Sequence, residues 1–272
     1  MERLPAYIDI NQSRYTLQAS TSKYFVLDLS KAINPVTLDV FADLECDLLL
    51  LNVKDELDIT INIQSNSYLR LCFLGKNNAL KSCKINANVG YHSTFSCYIA
   101  DFIPGECKGE IIVNLNEEYA TCDWHLASLT EKQDKKQFDV NVYHNSINTF
   151  AQLDNYGVCR DQGKLTFSGI CHIIKGSRGS KAHQNAKIMV FDETSNGIAK
   201  PILKIDENDI EASHAAIVGK INDEHIFYLT SRGLTEEEAK RLITFGYLKP
   251  IIVGFEDPEI KEEIGKLIEG KM

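Results

Sequence analysis

From about Tyr24 to Val218 this chain of 272 residues repeats one signal: an apolar residue at every second position, with no long amphipathic helix in between. In LDITINIQ, Leu57, Ile59, Ile61 and Ile63 share one face while Asp58, Thr60, Asn62 and Gln64 share the other, the pattern of a half-buried strand. The alternation returns in CKINANVG, EIIVNLNE, QFDVNVYH and KLTFSG, separated by short polar stretches such as GKNN, PGECKG, TEKQDKK and RDQG. Strand after strand without a crossover helix excludes a doubly wound α/β fold. It leaves an antiparallel sandwich or barrel, or a right-handed parallel β-helix whose coils stack on one another.

Near Gly219 the period changes to 3.6. Thr235 with Glu238 three residues on makes a capping box ahead of Ala239, Leu242 and Ile243. Asp257 and Pro258 then open a second helix with Ile260, Ile264, Leu267 and Ile268 on one stripe. Helices this short are marginal alone, so their apolar faces must dock on the β body or on another chain. The chain therefore divides into an N-terminal segment over 1–23, a parallel β-helix or other β body over 24–219 and a C-terminal helical segment over 220–272.

Apolar residues make up 44% of the chain and charged residues 25%, as in a soluble globular protein, and no window approaches a membrane span. The first residues, MERLPAYIDINQSRY, lack the apolar core of an export signal, so the expected location is cytoplasmic. A formal net charge of −9 disfavours a nucleic-acid partner, because phosphate contacts need clustered Lys and Arg. The eight cysteines show no C-x-x-C pair, and Cys83, Cys97 and Cys171 share parity with apolar neighbours, which reads as core packing. The basic, Gly-rich KGSRGSKAH stretch reads as a solvated connection between coils.

His214 falls on the apolar parity of the last strand, with Ile210, Ala212, Ala216 and Val218. Taken alone, such a histidine is more often a core residue than a ligand. The wider stretch SHAAIVGKINDEHIFYLTSRGL, residues 213–234, resembles the SufB/SufD family of iron–sulfur cluster assembly proteins, and VYHNS, FSG, AHQNAKIMV and AKPILKI precede it in the family's order. The resemblance runs from about residue 138 to 252. It implies the β-helix over the antiparallel alternatives, followed by C-terminal helices, and with the alternation starting near Tyr24 it implies a version trimmed of the family's N-terminal helical domain. Ala215 stands where a SufB-like chain has Glu, and no cysteine follows Cys171, so the likeness is to the SufD side.

The resemblance further implies a non-catalytic scaffold of the SUF machinery, pairing with a SufB-like subunit or with itself and binding a SufC-like ABC ATPase. No cofactor is held stably by the chain alone; a transient iron–sulfur cluster at a subunit interface is the one the family admits, with His214 as its candidate ligand here. One imidazole cannot hold a cluster, so thiolates from a partner would complete it. Leu242, Phe245, Tyr247 and Ile251 are the candidate ATPase-docking residues. Two rival functions are a self-assembling structural β-solenoid and a polysaccharide-acting β-helix enzyme; the latter would need paired carboxylates in a groove, and none stands out.

Overall fold

The computed structural model describes residues 6–9, 12–18, 23–31, 34–53, 55–75 and 80–270. Among the described residues, seventeen strands alternate between two all-parallel sheets. The odd strands form a nine-stranded sheet: β1 (Ala6–Asp9), β3 (Tyr24–Asp28), β5 (Glu45–Leu51), β7 (Tyr68–Gly75), β9 (Thr94–Asp101), β11 (Thr121–Thr130), β13 (Phe150–Cys159), β15 (Ser180–Val190) and β17 (Ile210–Lys220). The even strands form the eight-stranded sheet opposite: β2 (Arg14–Leu17), β4 (Val36–Val40), β6 (Glu56–Ile63), β8 (Ser82–Val89), β10 (Glu106–Leu115), β12 (Lys135–His144), β14 (Lys164–Ile173) and β16 (Asn196–Ile205). Each strand pairs with the strand two along in sequence, which makes the molecule a β-solenoid.

The alternation in the sequence is the wall of this solenoid. Ile59, Ile61, Val140 and Phe167 all point inward and are buried, as their parity requires. The coils widen along the chain: side chains that meet on neighbouring coils are 23 residues apart at Asp47 and Arg70, 27 at Ser96 and Asp123, and 31 at Asp154 and Asn185. Wider coils leave room for Phe95, Trp124 and Phe138 in the lumen, which is filled by side chains and is not a channel. Corners turn on left-handed residues such as Asn66 (φ 57°), Asn148 (φ 56°) and Asp161 (φ 53°), types whose short polar side chains tolerate that conformation.

The coils begin earlier than the alternation suggests. β1 pairs with β3 and β2 with β4, so Ala6–Asp9 and Arg14–Leu17 already belong to the two sheets rather than to a separate segment. The C-terminal part holds three helices where the sequence reading gives two: α1 (Asp223–Ser231), α2 (Glu236–Leu248) and α3 (Pro258–Gly270), with a 3-10 turn over Lys249–Gly254 between the last two. The capping box at Thr235 and Glu238 is present, and Asp257 Oδ1 accepts from the Glu259 backbone N–H at 2.8 Å.

From the 3-10 turn onward the chain runs back over the outer face of the nine-stranded sheet. Leu248, Ile251, Phe255, Ile260, Ile264 and Ile268 are buried in one cluster with sheet residues from Tyr24 to Val158. Tyr98 marks the closest approach: a Cβ added at Gly254 would lie 2.1 Å from its ring. Cys72 Sγ donates to the Gly254 carbonyl at 3.2 Å, and Arg70 bridges Asp47 and Glu256 across the same seam.

Candidate subunit interface at the open end

β16 and β17 are the last strands of their sheets, so one edge of each has no neighbouring strand among the described residues. Such an edge offers a row of backbone donors and acceptors to another chain. It is apolar as well: Ile202 is 49% exposed and Ile217 55%, and Ile205 and Val218 are exposed beside them. α1 follows directly and buries none of its residues, leaving Phe227 74% exposed. Scattered apolar residues are ordinary on a surface, whereas unpaired strand edges joined to exposed Ile, Val, Phe and Tyr mark a contact region.

His214 lies in the middle of this end. It pairs in register with Gln184, and the column continues inward through Leu153, Trp124 and Cys97. The apolar parity read from the sequence is therefore the lumen parity, yet His214 is exposed because no coil follows to cover it. On the outer side, Ser213 Oγ and His183 Nδ1 are 2.7 Å apart and Lys181 pairs with Glu211 at 2.9 Å. Gln184, one coil in, is 4% exposed and its Oε1 has no partner among the described residues. An orphaned buried acceptor costs about 1–3 kcal/mol.

All eight cysteines are buried. Burial pushes the thiols of Cys46, Cys72, Cys107 and Cys171 up to about 12 and that of Cys159 up to about 11. Cys83, Cys97 and Cys122 are pushed up by the same cause. Thiolate is the metal-binding form, so these residues pack the core, as parity assigns to Cys83, Cys97 and Cys171. Among the described residues no three His, Cys, Asp or Glu side chains converge as a metal site.

The four candidate docking residues separate. Leu242 is 52% exposed, Phe245 and Tyr247 are half-buried, and Ile251 is buried under the 3-10 turn. The Tyr156 and Tyr247 rings meet edge to face with their centroids 5.8 Å apart, and burial pushes the Tyr247 hydroxyl up to about 12. Ile251 is thus a residue of the contact between cap and sheet and is not surface for a partner: Pro250, at the start of the 3-10 turn, ends the helical course of α2 and turns the chain onto the sheet. Phe227, on α1, is an exposed aromatic within the stretch that carries the family resemblance. Its exposure was hidden because its helix covers nothing.

Residues 57–247 match the model of the SUF system FeS cluster assembly SufBD core domain. The chain is 30% identical over 168 residues to the iron–sulfur cluster assembly protein SufD of Bacillus subtilis, covering 62% of this chain and 38% of that protein. It is 32% identical over 189 residues to an iron–sulfur cluster assembly SufBD family protein of Mycobacterium bovis, 69% of this chain and 21% of that one. With the SufB of Bacillus subtilis it shares 29% over 123 residues, 45% of this chain and 26% of that protein. The chain thus spans between about a fifth and two fifths of the length of these curated relatives. A parallel β-solenoid with an open apolar end and a helical tail is the architecture on which these matches fall. The chain belongs to the SufBD family.

Proposed function

We propose that this chain is a non-catalytic scaffold of iron–sulfur cluster assembly that works by pairing its open solenoid end with a SufB-like subunit or a second copy of itself. The observation that carries the reading is that end: two unpaired strand edges, exposed Ile202, Ile205, Ile217 and Val218, and His214 at its centre. Joining two such ends would continue both sheets from one subunit into the next and bury the exposed apolar residues, a self-complementary contact of the kind symmetric dimers use. His214 would then lie inside the junction. With every cysteine of this chain in its core, thiolates for a nascent cluster would come from the partner and His214 would add an imidazole.

Light scattering on the purified chain, alone and with a SufB-like subunit, tests the pairing. The expected result is a discrete dimer or heterodimer that Ile217→Asp reduces to monomers without lowering the thermal midpoint, since Ile217 is exposed in the isolated chain. A parent chain that stays monomeric at high concentration and binds no SufB-like subunit would sink the reading, and open-ended filaments would favour the structural solenoid instead.

A further inference from the structure

One groove, away from both the open end and the cap, is charged against the sign of the whole chain. It is open, holds about 660 Å³, and is lined by the first residues of β10, β12 and β14 together with Lys81, just before β8. Lys81, Lys108, Lys135 and Lys164, all exposed, bring one ammonium group from each of four successive coils, and among the described residues that line the groove Glu106 is the one acid. The chain as a whole carries a formal net charge of −9. Register makes these lysines neighbours: Lys135 pairs directly with Lys164, and Lys108 stands level with Gln137 and Thr166 on the next two strands. Like charges side by side in a sheet repel and lower its stability. Glu106, in register with Lys135, offsets that one with an ion pair of 2.7 Å, and Lys81 meets Asp55 only at 3.9 Å. Among the described residues no carboxylate pairs with Lys108 or Lys164.

We propose that this groove binds a short acidic peptide segment of a partner protein, whose carboxylates lie along the lysine row and relieve its repulsion. The row covers three coil steps of roughly 4.8 Å, about 14 Å in all, a length that about four extended residues span. Among the described lining residues there is no aromatic ring for a base to stack on and no arginine to offer phosphate a bidentate fork, so flexible carboxylates suit the groove better than a nucleotide does. A long polyanion such as nucleic acid would meet the negative field of the rest of the chain, whereas a short segment meets only the lysines. Gln137 and Thr166, set among the ammonium groups, supply hydrogen-bonding partners for a peptide backbone. The groove lies on the eight-stranded sheet, whereas the tail packs on the nine-stranded one, and it ends one coil short of the open end. Binding there is therefore independent of subunit pairing.

The test is fluorescence anisotropy of fluorescein-labelled hexaglutamate titrated with the full chain at low salt. The parent should bind the peptide and release it as added sodium chloride screens the row. Lys108→Gln combined with Lys164→Gln should weaken binding on the order of tenfold, while Lys108→Arg combined with Lys164→Arg, which keeps both charges, should bind as the parent does. Lys266→Gln, on α3 against the other sheet, should change nothing and serves as the control for charge alone. The Gln pair should melt no lower than the parent, because both side chains are exposed and lack a carboxylate partner. A parent chain that does not bind hexaglutamate, or a loss of binding as large with Lys266→Gln as with the Gln pair, would overturn the proposal. So would displacement of the peptide by tripolyphosphate or by a short oligothymidylate at lower concentration than by unlabelled hexaglutamate, which would make the groove a phosphate site.

Discussion

Among the buried polar side chains, an ion pair and a histidine carry charge or potential charge into the wall. Lys136 Nζ donates to both oxygens of Asp101, at 2.8 and 3.0 Å, and Ser128 Oγ donates to Asp101 at 2.8 Å, with all three side chains buried. Removing one partner strands the other charge, so Lys136→Met should destabilise the chain by about 3–5 kcal/mol, while Lys136→Met with Asp101→Leu should recover most of that loss. Urea unfolding of the two variants checks it; equal losses would mean that the packing, and not the charge, is what matters. His144 is the second case. Its Nδ1 is 2.8 Å from Thr149 Oγ1 and its Nε2 is buried without a partner among the described residues, and burial, with the nearby His172, holds the ring at about 4. An unfolded histidine titrates near 6.5, so the folded chain excludes a proton that the unfolded chain binds. The stability tied to this neutral ring is fully present above about pH 6.5 and is lost as the pH falls through about 4, a loss of about 3 kcal/mol. His144→Gln should flatten the pH dependence of stability over that window; an unchanged slope would assign the acid sensitivity to other groups.

At the scale of elements, the alternation made most of the solenoid legible, because each inward residue faces a lumen filled on every coil. What it hid was the second covered face. DLLLL in β5 and LCFLG in β7 break the alternation into apolar runs, and there both faces are buried, one by the lumen and one by the returning tail. Reading those runs as doubly covered strands would have located the cap. Ile251 was misassigned for the same reason: the 3-10 turn that carries it packs on β9 and β11, well over a hundred residues earlier in the chain. His214 shows the converse, since its parity was plain but its exposure depends on the absence of a following coil, which no local pattern records. The cap itself is held by the stripe Ile260, Ile264 and Ile268 and by the close approach of Gly254 to Tyr98. Ile264→Ala should cost about 2–5 kcal/mol of local stability. Hydrogen exchange should then show α3 opening while the β14 amides stay protected; simultaneous loss of protection in both would make cap and solenoid one cooperative unit.

The whole molecule presents two unlike surfaces near one end, and they call for different partners. The strand edges of β16 and β17 suit another solenoid, whereas α1 and the exposed side of α2 offer side chains on helices that the sheets leave uncovered. Phe227 and Leu242 are more than half exposed, and Tyr247 rests on Tyr156 at the border of the cap. A SufC-like ATPase docking on these helices would find its anchors there, since exposed aromatic residues that become buried on binding dominate contact energies. Phe227→Ala and Leu242→Ala should each weaken binding of such an ATPase on the order of tenfold. Phe227→Ala should leave the thermal midpoint in place, because that side chain is 74% exposed, and Leu242→Ala, about half exposed, should shift it only slightly. Tyr247→Ala should do both, weakening docking and loosening the cap, and Ile251→Ala should loosen the cap chiefly, as befits a residue beneath it. Calorimetric titration of the ATPase into the four variants, read beside their melting curves, separates the two effects. If Phe227→Ala and Leu242→Ala bind the ATPase as the parent does, the helices serve the solenoid alone, and α1 belongs to the junction between subunits.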